Sequence, residues 1–297
     1  MSNALQFSVL SDKIAAIGES PIWSQAEQAL YWIDCNAPAL HRLVLDTGEE
    51  RCWQMPCRIG GVVPSANGPV VILRTGVFAL DQSVGTLEQL APSPLTKDNL
   101  VLHEARCDAA GRLWVGTINL DYIHEGGRGG AELFRLSGGR LLPCEAASGG
   151  TVSNGLAWSP DASIMYYADT AEKTIWAFDF DVASGSASNR RLFHQLPIGM
   201  GVPDGATVDV EGGYWFACPG AGRIRRLNPD GSLDRETPTP CDWPTKVAFG
   251  SAAMDRLIIT SLSMRGATPG KEALEGRLFS APAPIPGAPE PLFDPTH

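Results

Sequence analysis

No run of the chain is rich in lysine and arginine, and no two cysteines are spaced C-x-x-C. Nor does any stretch approach the roughly 20 apolar residues needed to cross a bilayer. The first absence goes with 23 basic against 33 acidic side chains and a net charge of −10. Phosphate backbones and anionic membranes need clustered cations that release counterions, so neither nucleic acid nor a membrane is an expected partner. A small molecule or a cation fits better. The seven cysteines form an odd set, which suits reduced thiols rather than a disulfide framework or a thiolate zinc site. Cys52 and Cys57, five apart, carry little signal. The opening MSNALQFSVLSDK has neither a basic nor an apolar leader region, and the expected location is cytoplasmic. Also missing are G-x-S-x-G, H-E-x-x-H, G-x-x-x-x-G-K-[ST] and a strand-to-helix G-x-G-x-x-G, which leaves nucleophile-elbow, zincin and phosphate-loop chemistry without support.

Helical periodicity is scarce as well. What the chain has instead is short runs of Val, Ile, Tyr, Trp and Phe bounded by Gly, Pro, Asn and Asp: LYWID, VVILR, RLWVGT, IMYYAD, YWFA and RLIITS. They recur at about 40 to 50 residues, the period of propeller blades. Most are followed by a second short run, as HRLVLD follows the first and TIWAFDFD the fourth. The expected fold is all-β, a six-bladed β-propeller, with residues 1–297 as a single domain. Closure of the ring would come from LQFSVL lying beside GRLFSAP, and the tail APAPIPGAPEPLF reads as edge or loop.

A common register runs through the units. DVEGGYW (209–215) superposes on DAAGRLW (108–114) and on SPDASIM (159–165), and five residues upstream stand Asp204, His103 and Asn154. With one extra residue allowed, the first unit places Glu19 there and the sixth Lys246, whereas the second offers only Gly60 and Gly61. Taken alone, Asn154-Gly155 and Asp204-Gly205 read as turns, Glu19 as a turn cap and Lys246 as a solvated rim charge. Taken together, equivalent positions at the entrances of innermost strands meet around one channel. Two carboxylates and an amide oxygen are a hard donor set suited to Ca²⁺, Mg²⁺ or Mn²⁺. Such an ion would polarise a carbonyl while a carboxylate takes a proton, which points to hydrolysis of an ester or lactone.

Glu19 in GESPIW, Asn154 in SNGLAWSPD and Asp204 in PDGATVD, carried on six β units, resemble the SMP-30/gluconolactonase/luciferin-regenerating-enzyme family over nearly the whole chain. The resemblance implies a propeller with one divalent cation in the central channel (Ca, Mn, Mg or Zn), held by Glu19, Asn154 and Asp204. Asp204 is then the catalytic base, and Asp121 matches an acidic position that meets substrate hydroxyls. One motif departs: where many members read R-x-N-D-G-K-x-D, this chain reads VLHEARCD (101–108), so Val101 replaces the Arg and His103 the Asn. Loss of a guanidinium fork puts the usual aldonolactone in question, and His103 becomes a candidate substrate contact or proton relay. The segment 119–131, rich in glycine, is a candidate lid. The expected activity is metal-dependent hydrolysis of a sugar-derived or related small lactone. Its rivals are another ester or phosphotriester hydrolase on the same metal, and a non-catalytic Ca²⁺-binding propeller.

Overall fold

The structure is a computed structural model that describes residues 5–122 and 126–297. Among the described residues, 24 strands form six antiparallel sheets of four. The first blade runs outward from β2 (Gly18–Ser24) through β3 (Ala29–Asp34) and β4 (Ala39–Val44) to β5 (Glu50–Gln54). The second comprises β6 (Ile59–Ser65), β7 (Gly68–Leu73), β8 (Gly76–Leu80) and β9 (Leu87–Pro92). The third comprises β10 (Leu100–Cys107), β11 (Leu113–Asn119), β12 (Leu133–Ser137) and β13 (Arg140–Pro143). The fourth holds β14 (Ser153–Trp158), β15 (Ile164–Asp169), β16 (Thr174–Asp181) and β17 (Ser186–Gln195), and the fifth β18 (Ala206–Val208), β19 (Tyr214–Cys218), β20 (Arg223–Leu227) and β21 (Leu233–Pro238). The sixth is built from β22 (Pro244–Gly250), β23 (Arg256–Ser261), β24 (Phe279–Pro282) and, outermost, β1 (Ser8–Val9).

Closure follows the expected pairing, with Ser8 opposite Ser280 and Val9 opposite Phe279. A strand from the start of the chain thus completes the last blade, and the ring has no seam held by loops alone. Each innermost strand also touches its two counterparts in the flanking blades, from β2 to β6, β10, β14, β18, β22 and back to β2. Burial explains the radial order: β2 and β22 are wholly buried, whereas β5 and β17 are mostly exposed. Between blades the contact is apolar and aromatic. Trp215 meets Phe249 edge-on at 6.2 Å, and Trp114 meets Phe180 at 5.8 Å, each pair bridging neighbouring sheets.

The hydrophobic runs that mark the repeat in the sequence prove to be second strands, β3, β7, β11, β15, β19 and β23. The channel strands are the less conspicuous segments just ahead of them. The shared Asp-to-Trp register has a direct cause. Trp114 donates from Nε1 to Asp108 at 2.9 Å, and Trp215 donates to Asp209 at 2.7 Å, closing the same corner in two blades.

The Pro-rich tail does more than edge a sheet. Val210 donates to Pro286 O, Ala288 to Val208 O, Phe293 to Pro64 O and Asp294 to Gly111 O, so residues 286–294 cross from the fifth blade to the second and third. On the way, Glu290 meets Arg106, which also donates to Ala206 O, Leu156 O and Thr207 Oγ1. Arg106 itself is next to last in β10, and the tail's own partners Pro64 and Val208 stand at or next to the ends of β6 and β18. The tail therefore covers the end of the channel where those strands finish.

Candidate metal and substrate site

The opposite end, where the innermost strands begin, gathers the residues of the common register. Five of these strands change register there: β2 after Glu19, β6 between Ile59 and Gly61, β10 after His103, β14 after Asn154 and β22 before Lys246. A bulge bends its strand and re-aims a side chain out of the normal alternation. The residue after the site side chain is left-handed at three of them, Ser20 (φ 48°), Glu104 (φ 51°) and Gly155 (φ 60°). Gly155 is also obligatory on space, since a Cβ there would lie 2.2 Å from the Tyr214 hydroxyl. Asn154-Gly155 is accordingly a bulge inside a strand and not a turn.

Glu19 and Asn154 are each 3% exposed, and Asp204 is half-buried. The Asn154 amide group is oriented by a chain of donors. Thr170 Oγ1 gives its proton to Pro203 O at 2.7 Å and so accepts from Asn154 Nδ2 at 2.8 Å. Asn154 Oδ1 is left buried with no hydrogen-bond partner. The same chain ties Asn154 to the residue preceding Asp204. Burial pushes the Glu19 carboxyl up to about 7, with Glu104 adding to the rise and Lys246 and the Ser20 amide opposing it. Burial, then the charges of Glu19 and Glu104, hold Asp204 well above the usual carboxylate range. Two desolvated carboxylates, the charge of Glu19 raising Asp204, form with the orphaned amide oxygen a donor set that fits a hard divalent cation. Among the described residues no three His, Cys, Asp or Glu side chains form such a group by themselves; the third donor here is an amide.

His103 joins this group, and Asp121 does not. Burial, with Arg58 and Lys246 nearby, pushes the His103 imidazole down to about 3, so the ring is neutral and its Nδ1 has no partner. Asn154 is the polar neighbour that offsets part of this shift. Asp121 stands further out on the third blade, where Asn99 Nδ2 donates to its carboxylate at 2.6 Å. The candidate lid 119–131 includes residues 123–125, which lie outside the described residues. Val101 is fully buried and packs with Ile118, Val152 and Ala171, making an apolar flank beside His103.

Lys246 is no solvated rim charge. It is 4% exposed, and its Nζ donates to Glu104 Oε2 at 2.7 Å. Its stem passes over Gly205, where a Cβ would fall 2.2 Å from Lys246 Cγ. Reading the sequence missed Glu104, which is off the common register by one residue, and Arg58, which precedes it by two at Gly60. The available signal for both was charge inside segments otherwise apolar enough to be channel strands.

Residues 17–263 match the family model described as the SMP-30/Gluconolactonase/LRE-like region. The chain belongs to that family. It is 36% identical over 284 residues to the 6-deoxy-6-sulfogluconolactonase of Pseudomonas putida, which covers 94% of this chain and 95% of that one. It is 30% identical over 290 residues to a pentonolactonase of Haloferax volcanii, covering 94% and 95%. Among solved structures, a calcium-binding protein, regucalcin, from Agrobacterium tumefaciens superposes with a TM-score of 0.90 at 22% identity, covering 98% of each chain. This last likeness carries the propeller fold. The lactonase names among the relatives support an enzyme that hydrolyses a small-molecule lactone.

Proposed function

We propose that this protein is a divalent-metal-dependent lactonase that opens a sugar-derived lactone to its hydroxy acid. The single observation that carries the metal is the buried, partnerless Asn154 Oδ1 beside Glu19 and Asp204. An unsatisfied buried oxygen costs about 1 to 3 kcal/mol, and the desolvated Glu19 and Asp204 carboxylates, whose neighbour Lys246 is already paired with Glu104, add to it; a cation held by all three relieves both. When bound, it would polarise the lactone carbonyl and acidify water. Asp204 would accept the proton of the water that attacks the carbonyl carbon. As the ring C–O bond breaks, that proton passes to the departing ring oxygen, leaving a free hydroxyl and a carboxylic acid, which ionises to the carboxylate by releasing the second proton of the water to solvent. His103, neutral at physiological pH, would donate to or accept from the substrate through its free nitrogen, and Asp121 would meet substrate hydroxyls further out.

All 297 residues are read as one functional domain. A cytoplasmic setting is consistent with seven unpaired cysteines, four of them buried. No helix among the described residues is long and apolar enough to cross a membrane.

The decisive experiment is a pH-indicator assay of aldonolactones, simple lactones, esters and phosphotriesters on metal-stripped protein, with Ca²⁺, Mg²⁺, Mn²⁺ or Zn²⁺ added back. Lactone turnover should appear only with metal. Asp204→Asn should stay about 10² to 10⁴ slower in kcat at full metal occupancy, whereas Glu19→Gln should recover more of its rate because Glu19 serves coordination alone. Near-parental kcat for Asp204→Asn would remove it as base. Cation binding without turnover of any substrate would identify a binding propeller instead.

A further inference from the structure

Arg58 is a cation that the proposed hydrolysis does not use. It stands two residues ahead of Gly60, whose backbone is pressed against the third blade: a Cβ on Gly60 would lie 2.2 Å from Leu102 O and 3.0 Å from His103 Cα. Arg58 is therefore beside His103, on the same end of the channel. From the first blade, Asn36 Oδ1 accepts from Arg58 Nη1, and Asn36 itself is steadied by Asp34, whose carboxylate takes its backbone amide at 3.0 Å. The guanidinium is thus clamped on one side. On the other, its Nε is buried with no partner, and among the described residues it forms no salt bridge. Its charge nonetheless reaches Glu19 and His103.

A half-buried guanidinium held on one side by Asn36 and without a counter-ion is suited to receive an anion at the nitrogens it leaves open. Glu19 does not serve as that counter-ion by contact, since its Oε2 accepts from the Ser20 amide at 2.9 Å and the pair is not within salt-bridge range. Neutral hydroxyls would leave the charge uncompensated. The neighbouring ring of His103 is neutral and Val101 is apolar, and the Glu19 and Asp204 carboxylates at this end would be neutralised by the divalent cation of the lactonase reading.

Building on the lactonase reading, we propose that Arg58 is a specificity-determining residue that binds an anionic group carried by the lactone at the end remote from its carbonyl. The shared chemistry is a forked oxyanion: sulfonate, carboxylate or phosphate. Arg58 then supplies from the second blade the guanidinium that position 101 lacks.

Two measurements test this. The first compares kcat/KM for glucono-lactone with that for its 6-sulfonate, 6-phosphate and 6-carboxylate counterparts, in the parent protein, Arg58→Gln and Arg58→Lys. At least one anionic lactone should be favoured tenfold or more by the parent. Arg58→Gln should lose that preference, mostly through KM, and Arg58→Lys should retain part of it because it keeps charge but not the fork. The second uses calorimetric binding of the matching sugar acids, which undergo no hydrolysis, to the metal-loaded protein. The sulfonated, phosphorylated or dicarboxylic acid should bind at least tenfold tighter than gluconate, and Arg58→Gln should erase the difference. This arm decides the anion site even if no lactone is turned over. The substrate that shows the Arg58-dependent gain names the anion. Equal losses for neutral and anionic ligands in Arg58→Gln, or no Arg58-dependent gain for any of the three anions, overturn the proposal.

Discussion

Lys246 on the sixth blade donates to Glu104 on the third at 2.7 Å, so this ion pair spans the channel between opposite blades. Both side chains are almost fully buried, at 6% and 1% exposure. Glu104 spends its other oxygen on the Leu156 amide of the fourth blade at 3.2 Å. Three blades are thereby joined by one carboxylate immediately beneath the candidate metal ligands.

The first prediction follows from what Lys246→Met would leave behind. Glu104 would become a buried carboxylate without its cation, next to the carboxylates of Glu19 and Asp204. Breaking one side of a buried pair typically costs about 3 to 5 kcal/mol, whereas replacing both partners by groups of similar volume costs far less. Lys246→Met should therefore unfold at markedly lower denaturant, and adding Glu104→Gln should restore much of the loss. Additive losses in the double variant would show that the pair is not the reason for the cost.

A second prediction concerns the tail. Arg106 and Glu290 are 10% and 7% exposed, joined through Nε to Oε2 at 2.9 Å with a second contact between Nη2 and Oε1. A small cavity of about 10 Å³ lies between this layer and Lys246. Glu290→Gln should destabilise by about 3 to 5 kcal/mol by stranding the Arg106 charge, yet leave cation affinity within a few-fold, because the candidate ligands lie at the other end. Denaturant unfolding and calorimetry check the two halves. A loss below about 1 kcal/mol would mean that the tail is laid over the channel without holding it shut.

The sequence and the structure agree where the signal is periodic. Asp108 with Trp114, and Asp209 with Trp215, repeat because the two blades close the same corner, and that repeat puts His103 and Asp204 in one register of the sequence. The closure of β1 on β24 was legible for the same reason: an unpaired strand at one end of the chain had to find an edge at the other. What stayed hidden is non-periodic. Ser20 and Glu104 adopt left-handed backbone although neither residue type favours it, and only the crowding of six strands around one axis imposes it. Lys246 and Glu104 are 142 positions apart, and nothing local announces such a partner. The tail read only as edge or loop, because the need that Glu290 meets, a buried Arg106, lies on the third blade.

The third prediction addresses Val101 and His103. Val101 pairs with Ile118 in the β10–β11 ladder and is closed in by Val152 and Ala171, while His103 carries a buried nitrogen without a partner. Replacing them by the Arg and Asn of the usual motif would put a guanidinium into an apolar flank. Its stem can lie along Ile118 with the head reaching toward the mouth, so part of the cost of burial is avoided. The Asn would remove the bulk of the imidazole and offer the substrate an amide. Stability should fall by about 1 to 3 kcal/mol, the range for a polar group moved into such surroundings. In exchange, neutral aldonolactones should gain, since the new donors match several ring oxygens. Each added hydrogen bond is worth on the order of 1 kcal/mol, so the ranking of substrates should move roughly tenfold or less. The measurement is kcat/KM across a panel of neutral and anionic lactones for Val101→Arg, His103→Asn and both together, with thermal unfolding alongside. If the double variant is folded and metal-loaded yet ranks the panel as the parent does, positions 101 and 103 do not set specificity, and discrimination must rest with side chains such as Arg58 that reach the site from other blades.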